Sequence, residues 1–142
     1  MSIWRALKTL EELNAPQPTL HTHLDIKIIE IGADFLRGTM PVDARTLQPH
    51  GLLHGGASVV LAETLGSVAA GMCVEPGYTV VGQEINANHV RSARSGLVTG
   101  TTRPVHIGAR THVWTIDIVD AAGKLVCISR LTIAVIKRGV FS

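Results

Sequence analysis

Residues 48–67 read QPHGLLHGGASVVLAETLGS, and the reading of this stretch decides the fold. Gly55-Gly56 opens a run that stays almost wholly apolar or small as far as Val74, interrupted by one carboxylate, Glu63, near its centre. Such a run is either a transmembrane helix or the buried helix of a globular domain. Glu63, with Ser58, Thr64 and Ser67 around it, makes insertion into a bilayer costly, so the buried helix is the expectation. Pro76-Gly77 marks its end. A carboxylate on an apolar helix face costs several kcal/mol unless it is paired, protonated or put to use, on the order of the transfer cost of a polar group.

Outward from the helix, the pattern becomes extended on both sides. Upstream, Asp25 to Val42 carries Ile26, Ile28 and Ile29, a turn at Gly32-Ala33-Asp34 and a second run from Phe35, which predicts a hairpin. Before it, Thr9-Leu10-Glu11-Glu12 has the form of a capping box and predicts a short helix to Asn14, ended by Pro16 and Pro18. A second helical turn is expected at Thr19 to Leu24. Downstream lie four extended segments, Thr79–Arg91, Gly96–Ile107, Arg110–Val119 and Lys124–Ile136, parted by turn formers at Ser95-Gly96, Gly108 and Asp120-Ala121-Ala122-Gly123. His112, Trp114, Ile116 and Ile118 alternate with Val113, Thr115, Asp117 and Val119, as a strand with one buried face does. The fold class is therefore α+β, one long central helix wrapped by a curved antiparallel sheet. All 142 residues form one domain: a helical segment at 1–24, the core at 25–136 and a tail at 137–142. The last strands are apolar at both parities, Leu131, Ile133 and Val135 against Ile128, Ala134 and Ile136. One helix cannot cover both faces of a sheet, so self-association is expected.

Composition narrows the function. With 46% hydrophobic and 17% charged residues the chain is globular, not disordered. A net charge of +2, with no basic run longer than Lys137-Arg138, excludes a nucleic-acid footprint. Cys73 and Cys127 lie in apolar stretches without CxxC spacing and read as two buried free thiols, although one disulfide would be compatible with the count. The start, MSIWRALKTLEELNAP, lacks the apolar core of a signal peptide, and a cytoplasmic protein without membrane association is expected.

Several residues could carry chemistry. The first N–H groups of a helix lack partners and form the positive end of its dipole, and glycine lets an oxygen approach them. Gly55 and Gly56 thus suit a phosphate or a carbonyl oxygen gaining negative charge, or else a tight turn into the helix. Glu63, with Ser67 one turn later on the same face, suits a base or nucleophile, or a structural carboxylate paired with Arg91, Arg110 or Arg130. His54 could cap the helix, bind metal or orient a carbonyl, and Gln48 on the same loop is a neutral donor and acceptor. His21-Thr22-His23 would share one side of a strand, but no third ligand stands at a metal-site spacing. The segment QEINANHVRSA (83–93) is too polar for a strand over a core, so it lines an interface or a ligand cleft.

These motifs, MPVDARTLQPHGLLHGGASVVLAETLGSVAAG (40–71) followed by VVGQEINANHVRSARSG (80–96), resemble the hotdog-fold acyl-CoA thioesterases of the PaaI-like group. The resemblance runs from Ile3-Trp4 to Arg130-Leu131 and is strongest to the branches acting on dihydroxynaphthoyl-CoA in menaquinone synthesis and in enterobactin proofreading. It implies hydrolysis of an aryl- or hydroxyaryl-CoA or an acyl-carrier-protein thioester by a homo-oligomer, a dimer of dimers, without metal or organic cofactor; CoA enters as part of the substrate. It also implies roles. Glu63 would attack the thioester or activate water, and the Gly55 N–H would polarise the carbonyl. Gln48 and His54, from the neighbouring subunit, would position the thioester, while Ser67 would hold water or the acyl group. His89, Arg91, Ser92, Gly108 and Arg110 would meet the CoA portion. His50 departs from the aromatic expected there, and Thr64 from serine. Alternatives on the same fold are a dehydratase or hydratase acting on acyl thioesters, with His54 and Glu63 removing an α-proton, and a non-catalytic acyl-CoA sensor.

Overall fold

In the computed structural model, which describes residues 1–141, the expected order of elements is present. Two short helices, α1 (Leu10–Leu13) and α2 (Leu20–His23), precede the hairpin β1 (Lys27–Ile31) and β2 (Leu36–Pro41). The central helix α3 spans Gly55–Gly71, and β3 (Tyr78–His89), β4 (Leu97–Ile107), β5 (Thr111–Val119) and β6 (Leu125–Lys137) follow. The capping box forms as read: the Thr9 hydroxyl accepts from the Glu12 N–H, and the Glu12 carboxylate accepts from the Thr9 N–H.

The six strands make one antiparallel sheet in the order β1-β2-β4-β5-β6-β3. β3 therefore leaves its neighbour in sequence and takes the far edge, where it pairs only with β6. α3 lies across the concave face. Leu61, Leu65, Trp114, Ile116, Leu131 and Ile133 are wholly buried between helix and sheet. The helix sits close because two glycines pair beneath it. Gly38 of β2 is opposite Gly100 of β4, and a Cβ on either would stand 2.6 Å from a methyl of Leu65.

Two expectations need correction. The helix ends at Gly71, short of the expected Pro76-Gly77, because the Met72 N–H turns to Val68 and Ala69 together and the chain leaves through a tight turn. The helical turn expected at Thr19 to Leu24 forms as α2, so the other reading of His21-Thr22-His23, as one side of a strand, falls. Cys73 and Cys127 are both buried and free, as read. No helix among the described residues is long and apolar enough to cross a membrane. Ser142, the end of the expected tail, lies outside the described residues.

The N-terminal segment is stitched to the sheet edge and to the helix. Asn14 exchanges two 2.8 Å bonds with the Ile28 backbone, imitating a neighbouring strand. The Trp4 indole N–H donates to Gly32 O at 2.7 Å, and Arg5 and Ala6 N–H donate to Met72 O. These ties hold α1 and α2 beside α3, where they wall a cleft.

Candidate active site

The loop before α3 is fixed from several directions. Leu53 N–H donates to Ala93 O, just past β3, and His54 N–H to Thr46 O, both at 2.7 Å. Thr46 is buried and its hydroxyl donates to Pro41 O. The Gln48 side-chain oxygen accepts from the His50 N–H, and the Gln48 amide NH₂ has no acceptor among the described residues. His50 itself is exposed.

At the helix start, His54 is the N-cap: its Nδ1 accepts from Gly56 N–H at 2.8 Å. Ala57 and Ser58 N–H both donate to His54 O. The Ser58 bond is the first regular helical one, so the N–H groups of His54 (on Thr46 O), Gly56 and Ala57 are three of the four orphan donors of the first turn, each satisfied. The fourth, Gly55 N–H, has no hydrogen-bond partner among the described residues. His89, at the end of β3, lies against it: a Cβ on Gly55 would stand 2.7 Å from His89 Nε2. Glycine thus lets the imidazole approach this closely and leaves one N–H available at the positive end of the dipole. Gln48, Gly55, His89, Arg91 and Ser92 line one cleft of about 380 Å³.

Glu63 and Ser67 lie elsewhere. With Thr64, Val68 and Gly71 they line a second cleft of about 510 Å³, walled by Lys8, Leu13 and His21 of the N-terminal segment and by Tyr78, Val80 and Arg138. Glu63 is half-buried rather than buried, which corrects the sequence reading: the second face of α3 is open in a single chain. It forms no ion pair among the described residues, so Arg91, Arg110 and Arg130 do not neutralise it. Its carboxylate lies across Gly82 of β3, where a Cβ would stand 2.3 Å from Oε1. Gly82 was not singled out in the sequence; a glycine inside a strand pattern was the available signal.

Gly108 and Arg110 stand apart again. They flank the β4–β5 turn, level with Ala134 of β6, while His89 is level with Cys127, about 23 Å away at strand rise. Gly108 shares a third cleft of about 310 Å³ with Arg5, Cys73, Tyr78 and His112. Burial pushes the Cys73 thiol up to about 11, which keeps it protonated and unreactive at neutral pH. His112 is buried, and desolvation, then the charge of His106, lower its pKa. Asn86 and Asn88, expected in a cleft or interface, are on the outer face of β3 and exposed in the single chain.

A curved antiparallel sheet wrapped around one helix is the hotdog fold, and here the helix opens on glycine and carries, two turns along, a carboxylate that forms no ion pair among the described residues. The chain belongs to the thioesterase superfamily, whose family model matches residues 50–127. It is 57% identical over 135 residues to the 1,4-dihydroxy-2-naphthoyl-CoA hydrolase of Escherichia coli, covering 94% of this chain and 99% of that one. It is 50% identical over 134 residues to the proofreading thioesterase EntH of Cronobacter turicensis, covering 94% and 98%. A crystal structure of a thioesterase from Haemophilus influenzae superposes with a TM-score of 0.92 at 51% identity over 95% of both chains. The chain is accordingly a thioester hydrolase of the hotdog fold.

Proposed function

We propose that this chain hydrolyses the thioester of an aryl- or hydroxyaryl-CoA, of the dihydroxynaphthoyl or hydroxybenzoyl kind, at a site shared between two copies of itself. The observation that carries the second half is the division of the candidate residues between two clefts. Gly55 and Glu63 are eight residues apart on one helix, about 12 Å along its axis. A reacting carbonyl needs the carboxylate and the polarising N–H each within about 3–3.5 Å. One chain cannot supply both. A second copy, its helix antiparallel to the first, brings its Gln48, His54 and Gly55 to the Glu63 and Ser67 of its mate.

The free edge of β3 offers the means. Its twelve residues pair with β6 on one side only. Gly82, under Glu63, and His89, against Gly55, face the same side of the sheet despite their opposite parity, because the strand bulges between Gly82 and Glu84. Two β3 strands pairing antiparallel about a twofold axis near Asn86 set the Gly82 of one copy opposite the His89 of the other. Such an isologous contact also covers the open face of α3.

In that site the Gly55 N–H donates a hydrogen bond to the developing oxyanion, aided by the helix dipole. Glu63 either attacks the carbonyl carbon, giving an anhydride that water then opens, or takes a proton from a water that attacks. In both courses the C–S bond breaks, the thiolate gains a proton, and the products are a free acid and CoA. The steps need no metal or organic cofactor. Arg91 and Ser92 flank the exit for the CoA arm, and Gly108 and Arg110 would reach it only from another subunit. The name of the Escherichia coli relative supports a dihydroxynaphthoyl acyl group, which on this reading puts the enzyme in menaquinone synthesis in the cytoplasm. Thiol release from benzoyl-, hydroxybenzoyl- and naphthoyl-CoA tests the activity, with a loss of at least about a hundredfold expected in Glu63→Gln. Mixing Glu63→Gln with Gln48→Ala under conditions that exchange subunits should recover activity toward about a quarter of wild type, since half the dimers then carry one intact site. Mixed samples no more active than their components would refute the shared site.

A further inference from the structure

Hydrolysis as described leaves the cations at the rim of the Glu63 cleft without a task. Lys8 and Arg138 both line it, and neither is ion-paired among the described residues. Arg138 is the better held of the two. Its backbone N–H donates to Gly77 O at 2.9 Å, and its Nε–H donates to Tyr78 O at 3.2 Å. With Nε engaged, the two Nη groups are the donors left for a bound molecule. Guanidinium stays charged at any working pH and matches a planar oxygen acceptor better than an ammonium does.

The rest of the inference depends on the proposed hydrolysis. The thioester carbon must reach Glu63, so the acyl group is the part of the substrate that fills the remaining cleft. That space has an apolar wall of Leu13, Val68, Met72 and Val80, with Tyr78 and Arg138 on its rim. At about 510 Å³ it is large enough for an aromatic ring system. A cleft with one apolar wall and a cation anchored on its polar rim suits a ring that carries an oxygen acceptor.

We propose that Arg138 is a specificity-determining residue, selecting aromatic acyl groups that bear a hydroxyl, phenolate or carboxylate oxygen over unsubstituted ones. The test measures kcat/KM for 4-hydroxybenzoyl-CoA and benzoyl-CoA in wild type, Arg138→Ala, Arg138→Lys and Arg103→Ala. Arg103 serves as the control, because it is occupied on another surface with Asp34 and the Phe35 ring. The preference for the hydroxylated substrate should fall about tenfold in Arg138→Ala, recover in part in Arg138→Lys, and hold in Arg103→Ala. An unchanged preference in Arg138→Ala overturns the assignment, as does an equal slowing of both substrates, which would mark a structural role. Either result leaves thioester hydrolysis standing. A wild type that releases no thiol from any acyl-CoA removes the proposed activity and this assignment with it.

Discussion

Gly82→Ala tests the placement of the carboxylate without touching the carboxylate. A Cβ at this position would stand 2.3 Å from Glu63 Oε1, whereas ordinary contact begins at 3.4 Å. The carboxylate must therefore retreat by about 1 Å, a displacement that can lower a catalytic rate about a hundredfold. The neighbouring Leu131 Cδ1 is already at ordinary contact, 3.6 Å, so the helix and sheet need not move. What yields is the far end of one flexible side chain, and the melting temperature should change by no more than a few degrees, the equivalent of about 1 kcal/mol or less. The assay is thiol release from an aryl-CoA by wild type, Gly82→Ala, Glu63→Gln and the double variant. The fall should lie in kcat, and the double variant should be no slower than Glu63→Gln alone, because both changes disable the same group. A folded Gly82→Ala enzyme with kcat within about threefold of wild type would refute the reasoning, since the predicted displacement would then have had no consequence.

Two further outcomes follow from the core. Gly100→Ala sets a Cβ 2.6 Å from Leu65 Cδ1 and 3.5 Å from Leu61 in fully packed surroundings, and urea denaturation should show a loss of about 1–3 kcal/mol, smaller when combined with Leu65→Val. His112, desolvated and facing His106 and Gly108 with its Nδ1 accepting from the Trp114 indole, has a folded-state pKa below its usual 6.5. The unfolded chain therefore binds the proton first as pH falls. The contribution of His112 to stability is complete above about pH 6.5 and is lost as pH drops from there toward the folded pKa. Melting temperatures from pH 8 to pH 5 should decline less in His112→Gln than in wild type; parallel curves would show that this imidazole is not the titrating group.

Much of the molecule is legible in the residues alone because the controlling interactions are local. The capping box at Thr9 and Glu12 joins neighbours, and the alternation from His112 to Ile118 reports which side of a strand is buried. The long apolar run opening at Gly55-Gly56 states its own helical nature, and His54 caps it from the adjacent position. The segment containing Gln48, His54, Gly55, Glu63 and Ser67 was likewise visible as a unit of chemistry. Its division into two clefts was not. Sequence spacing shows Glu63 and Ser67 sharing a face, but only the packed helix shows that Gly55 opens at one end of the sheet, under His89, while Glu63 rests on Gly82 across an edge strand. The same holds for Arg138, whose place on the rim of the Glu63 cleft follows from β6 running back along β3 over many residues of intervening chain. Contacts between residues distant in sequence depend on strand order, and strand order is settled by which buried faces and edges can be satisfied together. The sequence by itself therefore determined the elements and the chemical inventory of this protein. The tertiary structure alone decided which of those groups could meet in one chain and which, on the proposed reading, must come from another.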